Sequence, residues 1–231
     1  MDAVVMAAGE GMRLRPLTGF WPKPVLPIDG RPVIATLLRD LADSGCARVF
    51  VVTGHLAEQV EELVGDGSAF GLDVGFVRQP GVLGSADTVR RALVAGARAP
   101  LLVAGADTVF ARGDVRRFAE AAGGRGAAIA YRTQPRPEPP HRWAIRVVNG
   151  RVERVLDDDP GNSRSGAPLW LLGAEFLPLL DGLSGPPFEL ADALQRAIDA
   201  GLDVAGVEIG ATRDLTYPVD LVRENFPYLA S

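Results

Sequence analysis

The residues able to do chemistry crowd near the start of the chain, in Met6-Ala-Ala-Gly-Glu-Gly-Met-Arg-Leu-Arg-Pro-Leu-Thr18 and the Pro22-Lys-Pro-Val-Leu-Pro27 that closes it. Gly9 and Gly11 allow backbone N–H groups to approach a ligand closely, and successive N–H groups form an anion nest. Arg13 and Arg15 add planar, permanently charged forks suited to phosphate. The combination reads as a polyphosphate cradle. Two familiar alternatives fail. A dinucleotide fingerprint needs a third glycine where Leu14 stands, and a P-loop needs a Gly-Lys-Ser/Thr that the chain lacks.

Lys23 is the only Lys among twenty-four Lys and Arg residues. A compact ammonium on a flexible stem is not equivalent to a guanidinium. Its place between two prolines of the same loop suggests a point charge held over a reacting phosphate. A second candidate is Asp107, which ends the apolar run Leu101-Leu-Val-Ala-Gly-Ala-Asp107. A carboxylate at the end of a buried strand suits Mg²⁺, a hard cation commonly shared with substrate phosphates. Alone it would also suit an ordinary turn; the phosphate loop on the same rim favours the metal.

The elements that must position these groups alternate over the first half. Strands are expected at Ala3–Met6, Arg48–Thr53, Asp73–Arg78 and Pro100–Ala104. Helices are expected at Val33–Asp43, Ala57–Val64 and Ala86–Ala97. Apolar strands alternating with amphipathic helices imply a mostly parallel sheet covered on both faces. Ligands of such a sheet bind at the C-terminal ends of its strands, and the Gly9 loop and Asp107 both lie there. Beyond about residue 125 the pattern changes. Strands are expected at Ala127–Arg132, Leu169–Leu172 and Asp203–Ile209, and Pro135–Pro140 reads as an exposed loop. Trp143–Val148 and Val152–Leu156 flank Asn149-Gly150, a tight-hairpin signal. Phe176–Leu180 and Leu190–Ala200 read as helical, the second after a cap at Glu189, and Pro218–Asn225 as a closing helix. The reading is a single α/β domain over 1–231, Rossmann-like, with a mixed, mostly parallel sheet and an antiparallel lid or hairpin insertion. Residues 1–125 form a nucleotide-binding half and 126–231 an acceptor-binding half.

Bulk composition narrows the function. Apolar residues make up 47% and charged residues 23%, as in a soluble globular protein. A net charge of −5 without a basic run argues against nucleic-acid binding. Cys46 is alone, which excludes an internal disulfide. No export signal or membrane-length apolar run is present, so no membrane partner and a cytoplasmic location are expected. His55 and His141 fall in no nucleophile or zinc pattern, and no Gly-x-Ser-x-Gly elbow occurs.

The stretch Ala7–Thr18, with Pro22–Ile28 and Gly30-Arg-Pro32, closely resembles the signature of the sugar-1-phosphate nucleotidyltransferases, the nucleotide-sugar pyrophosphorylases. The resemblance implies that Ala7, Ala8, Gly9, Gly11, Met12 and Arg13 bind the nucleotide. Arg13 would contact departing pyrophosphate and Lys23 the reacting phosphates, as the catalytic pair. Gln79-Pro-Gly-Val-Leu-Gly-Ser-Ala resembles the family's base-reading segment, which assigns Gln79, Gly84 and Ser85 to the nucleotide. Gln carries both donor and acceptor, and Ser85 reads equally well as a helix cap alone. Asp214-Leu-Thr-Tyr-Pro-Val-Asp-Leu resembles the family's second metal motif. Asp107 and Asp214 are then the Mg²⁺ ligands.

The acceptor side departs from the family. Trp143-Ala144 replaces Tyr-Gly, Ala167-Pro168 replaces Ala-Gly, and Asp158-Asp159-Pro160 replaces Glu-Lys-Pro. Ala144 and Asp158 are the acceptor-binding candidates. Asp159 stands where the family has a Lys that holds the sugar phosphate, with Arg142 and Arg146 as substitute cations. The implied reaction joins a nucleoside triphosphate and a sugar 1-phosphate into a nucleotide sugar, releasing pyrophosphate. Two alternatives stay open: a non-sugar phosphorylated alcohol as acceptor, or a nucleotide-binding regulatory homologue with impaired turnover. The base, the sugar and any homo-oligomer are not specified by the sequence.

Overall fold

The computed structural model describes residues 1–133, 144–159, 161–226 and 228. The expected loop Pro135–Pro140, together with His141, Arg142, Trp143 and Pro160, lies outside them.

A nine-stranded sheet carries the fold. Its strands are β1 (Asp2–Ala7), β4 (Arg48–Thr53), β5 (Asp73–Arg78), β6 (Leu101–Gly105), β8 (Ala127–Thr133), β9 (Ile145–Val148), β10 (Arg151–Val155), β11 (Arg164–Leu172) and β12 (Val204–Glu208). Two short pairs stand apart: β2 (Pro27–Ile28) with β3 (Arg31–Pro32), and β7 (Thr108–Val109) with β13 (Arg213–Asp214). The helices are α1 (Val33–Asp43), α2 (Ala57–Val64), α3 (Ser85–Val94), α4 (Asp114–Ala122), α5 (Leu190–Asp199) and α6 (Pro218–Asn225). Spatial order in the large sheet is β5-β4-β1-β6-β11-β8-β12-β10-β9. β1 pairs in parallel with β4 and β6, whereas β11 runs antiparallel to both β6 and β8. β8 therefore points the same way as β1 and β6, and their C-terminal ends share one rim.

The sheet splits the core in two. Ala3, Val5, Val49, Val51, Leu102 and Ala104 face α1, α2 and α4, while Val4, Val52, Leu101, Val103 and Trp170 face α3 and α5. Side chains alternate across a strand, so strands buried on both faces read as continuous apolar runs. The expected helices on both faces are thus present. The hairpin is also present, and it extends the sheet beyond β12. Asn149 and Gly150 have φ of 51° and 77°, the left-handed pair that a tight hairpin turn demands. Two expected elements are shorter than predicted. The helix expected to reach Ala97 stops at Val94, because Gly96 turns at φ 101°. The helix expected at Phe176–Leu180 is a 3-10 turn over Leu177–Leu180 containing Pro178.

A third cluster matters for the site. Leu14 from the glycine-rich loop, Leu26, Ile28, Val33 and Leu215 pack together away from solvent. Asn225 fastens the same region, accepting from Gly30 N–H and donating to the Pro27 and Leu221 carbonyls, each at 2.8 Å. The C-terminal segment is in this way tied to the loop that follows β1.

Candidate active site

A cleft of about 480 Å³ opens at the shared rim. It is lined by Ala7, Ala8, Gly9, Gly11, Met12, Arg13, Lys23, Gln79, Gly84, Ser85 and Asp107, the residues expected at the nucleotide, its reacting phosphates and its metal. Asp214, Ala144 and Asp158 are not among the lining residues, although Leu215 and Thr216 are.

The loop is held by internal bonds. Gly11 adopts φ +61°, and a side chain there would meet the Thr18 methyl at 2.9 Å. Thr18 Oγ1 donates to the Gly11 carbonyl at 2.9 Å. His55 Nε2 lies 2.6 Å from the Thr18 carbonyl. A carbonyl only accepts, so Nε2 carries the proton. His55 therefore steadies the loop, a role its sequence context did not signal. Gly9 differs, since it is exposed, has no left-handed φ and has no atom within 4 Å of a would-be Cβ. No protein contact requires glycine there. Arg13 is exposed at the cleft, and among the described residues it has no hydrogen-bond or ion-pair partner.

Lys23 is 11% exposed and donates to Asp107 Oδ2 at 2.8 Å. Asp107 lies deep in the fold but opens 44% of its side chain to the cleft. Burial raises its pKa, yet the charge and hydrogen bond of Lys23, with the Thr108 hydroxyl, outweigh this and hold it below the ordinary value. Asp214 stands directly across the β7–β13 pair from Thr108, one residue beyond Asp107. It is exposed, and its bond from Thr216 Oγ1 is long at 3.4 Å.

The base-reading candidates are more committed than expected. Gln79 is 4% exposed and spends its amide N–H groups on Asp87 Oδ2 at 2.8 Å and the Gly84 carbonyl at 3.2 Å. Gly84 has φ +95°, and a side chain there would lie 2.2 Å from the Phe188 carbonyl oxygen. The backbone that approaches Gly84 is thus the protein's own. Ser85 does not cap α3. Its hydroxyl donates to Glu189 and accepts from the Leu190 N–H, so it serves the start of α5. Glu189 itself makes no side-chain cap and lines the cleft instead. Neither this link nor Trp170 in the cleft wall carries a local sequence signal.

On the acceptor side, Ala144 is 7% exposed and forms a bridge with Ser165. Asp158 is exposed, whereas its neighbour Asp157 is buried and accepts from Arg146 at 2.9 Å and Asn162 at 2.8 Å. Asp159 is exposed and folds onto its own loop, accepting from Gly161 N–H at 2.7 Å.

This is an α/β protein of Rossmann-like architecture whose rim gathers amide donors, two cations and a carboxylate around one cleft. The chain belongs to the nucleotidyl transferase family, whose profile matches residues 2–145. It is 26% identical to the low-salt glycan biosynthesis nucleotidyltransferase Agl11 of Haloferax volcanii over 97% of this chain and 65% of that one. It is 36% identical to the N-acetylmuramate alpha-1-phosphate uridylyltransferase of Neisseria meningitidis over 47% of this chain and 48% of that one. The chain thus spans about half to two-thirds of the length of these curated relatives. A crystal structure of a putative glucose-1-phosphate thymidylyltransferase from Bacillus anthracis shares the fold, with a TM-score of 0.84 and 20% identity over 97% of this chain and 94% of that one.

Proposed function

We propose that this chain transfers a nucleotidyl group from a nucleoside triphosphate to a sugar 1-phosphate, giving a nucleotide sugar and pyrophosphate. The observation that carries this reading is the cleft in which the Gly9–Arg13 loop faces Lys23 and Asp107. The relatives' names support it, since they act on sugar phosphates or are nucleotidyltransferases. An acceptor phosphate oxygen attacks the α-phosphorus, the bond to the bridging oxygen breaks, and pyrophosphate departs with that electron pair. The attacking oxygen is already anionic, so the protein needs no nucleophile or general base. Its task is positioning and charge neutralisation. Arg13, without a partner among the described residues, receives the leaving pyrophosphate together with loop amides. Lys23 has three N–H donors. One is spent on Asp107, which leaves two for phosphate oxygens.

Asp107 and Asp214 fit a Mg²⁺ site. They supply hard oxygen donors, Asp214 from β13 and Asp107 from the turn that leads into its partner β7, and among the described residues no cluster of three or more metal-binding side chains occurs. Mg²⁺ accepts such a sparse set, completing its shell with phosphates and water. When bound, the ion would neutralise charge on the transferring phosphoryl group. The reading places the reaction in the cytoplasm, where triphosphates are supplied. Pyrophosphate release measured across a matrix of triphosphates and phosphorylated acceptors tests it. Release with no sugar 1-phosphate, or only with non-sugar phosphorylated alcohols, would overturn it.

A further inference from the structure

Among the described residues of the acceptor half, one partly buried cation lacks a hydrogen-bond or ion-pair partner; Arg154, also without one, is exposed. Asp159, in the position the family gives to a phosphate-holding Lys, is turned onto its own loop. Arg146 is engaged by Asp157, and Arg164 is engaged by the Val147 carbonyl and lies over the Tyr131 ring. Arg132 is different. Its Nε is buried and has no hydrogen-bond partner, and no ion pair forms to its guanidinium among the described residues.

Neither Arg132 nor Ser165 lines the cleft itself, but the register places Arg132 beside it. Ile129 of β8 and Val103 of β6 are both opposite Trp170 of β11. Three residues further along β8, Arg132 is therefore level with the end of β6 that leads into Asp107. Two strand spacings separate them, about 10 Å. Ala128 and Ala130 pack into the cluster that contains Ala167, so alternation puts Arg132 on that same face. Ser165 lies directly across from Arg132, and opposed residues share a face. Ser165 is polar and 3% exposed, and among the described residues its hydroxyl makes no hydrogen bond. Burial lowers the Arg132 pKa and Asp214 counters it, but a guanidinium keeps its charge throughout the physiological range.

We propose that Arg132, with the Ser165 hydroxyl beside it, binds the phosphate of the acceptor. This rests on the activity proposed above and assigns the cation that its acceptor subsite needs. A guanidinium whose buried Nε lacks a partner is costly in the empty protein, and a phosphate dianion is the group its fork matches.

The test compares the wild-type chain with Arg132→Gln, Arg132→Lys and Ser165→Ala. Arg132→Gln should raise the acceptor KM about 10- to 100-fold, the loss expected for a charge-assisted hydrogen bond, and leave the KM for the triphosphate unchanged. Arg132→Lys should recover part of that loss, and Ser165→Ala should give a smaller rise. Equal effects on both KM values, or none on the acceptor's, would overturn the proposal. Direct titration with glucose 1-phosphate and with inorganic phosphate separates this from failure of the proposed activity. If the wild type turns over no pair, tighter binding of either probe to wild type than to Arg132→Gln still supports the contact. Equal binding, or binding to neither, overturns it.

Discussion

Lys23 Nζ donates to Asp107 Oδ2 at 2.8 Å, joining residues 84 apart in sequence. The pair links the glycine-rich loop to the end of β6 and places opposite charges side by side on the cleft wall. Lys23 is nearly enclosed, while Asp107 is open to the cleft. A point charge in such a confined place is not interchangeable with a planar fork. Lys23→Arg should therefore lower kcat on the order of 10²-fold while melting close to the wild type. Near-normal kcat in this variant would remove Lys23 from the reaction.

The same pair predicts a pH dependence. The Asp107 pKa is held below its ordinary value of 3.8. A depressed carboxylate stabilises the fold above its unfolded pKa, and that contribution disappears as pH falls through the folded value. The gap in melting temperature between wild type and Asp107→Asn should stay level from about pH 7 to 5 and close below about pH 4. A gap that persists unchanged to pH 3 would contradict the ion pair. Asp107→Asn should also lose activity on the order of 10²-fold or more, and excess chelator should silence the wild type, if the carboxylate holds Mg²⁺.

Gln79 makes a prediction about the base. Asp87 Oδ2 accepts from both Gln79 Nε2 and Arg91 Nε. A carboxylate cannot donate, so the Gln79 amide is fixed with its nitrogen toward Asp87 and its oxygen free to accept. The Thr88 hydroxyl reaches that oxygen only at 3.4 Å. An acceptor selects a base with an imino N–H, which uracil, thymine and guanine offer and cytosine and adenine do not. Initial rates with UTP, dTTP or GTP should exceed those with CTP and ATP on the order of tenfold or more. Asp87→Ala, which frees the amide to turn, should shrink that ratio. CTP or ATP as the best donor would show that Gln79 does not read the base.

What the sequence revealed follows the range of the interactions. The strand–loop–helix around Gly9, the Asn149-Gly150 turn and the apolar strand leading into Asp107 are local patterns, and all three appear where expected. The internal bonds that orient the Gln79 amide were not legible, because they depend on Asp87 and Thr88 of α3 meeting the residue just beyond β5. The Ser85–Glu189 link crosses 104 residues. Arg132 lies near the end of an ordinary apolar strand, and only the antiparallel insertion of β11 between β6 and β8 brings it level with the segment that leads into Asp107. Asp157, not Asp158, is the buried member of its acidic run because its N–H pairs with the Ala144 carbonyl. Pairing across a sheet leaves no trace in local periodicity.

Two glycines of the cleft should respond in opposite ways to alanine. Gly84 has φ +95°, and a Cβ there would lie 2.2 Å from the Phe188 carbonyl oxygen and 2.6 Å from its nitrogen. Those atoms bond to Ala86 N–H and the Leu83 carbonyl, so the segment before α5 cannot retreat without losing both bonds. Gly84→Ala should cost on the order of 2 kcal/mol or more in stability, from strain and displaced hydrogen bonds together. Gly9 has ordinary φ and open space where a Cβ would go. Gly9→Ala should leave stability within about 0.5 kcal/mol of the wild type, as for a surface change. If phosphates lie against this loop, the added methyl meets them and not the protein, and the KM for the triphosphate should rise. Denaturant melts of both variants, paired with steady-state kinetics of Gly9→Ala, separate the two roles. A stable Gly9→Ala variant with an unchanged KM would place the triphosphate elsewhere in the cleft.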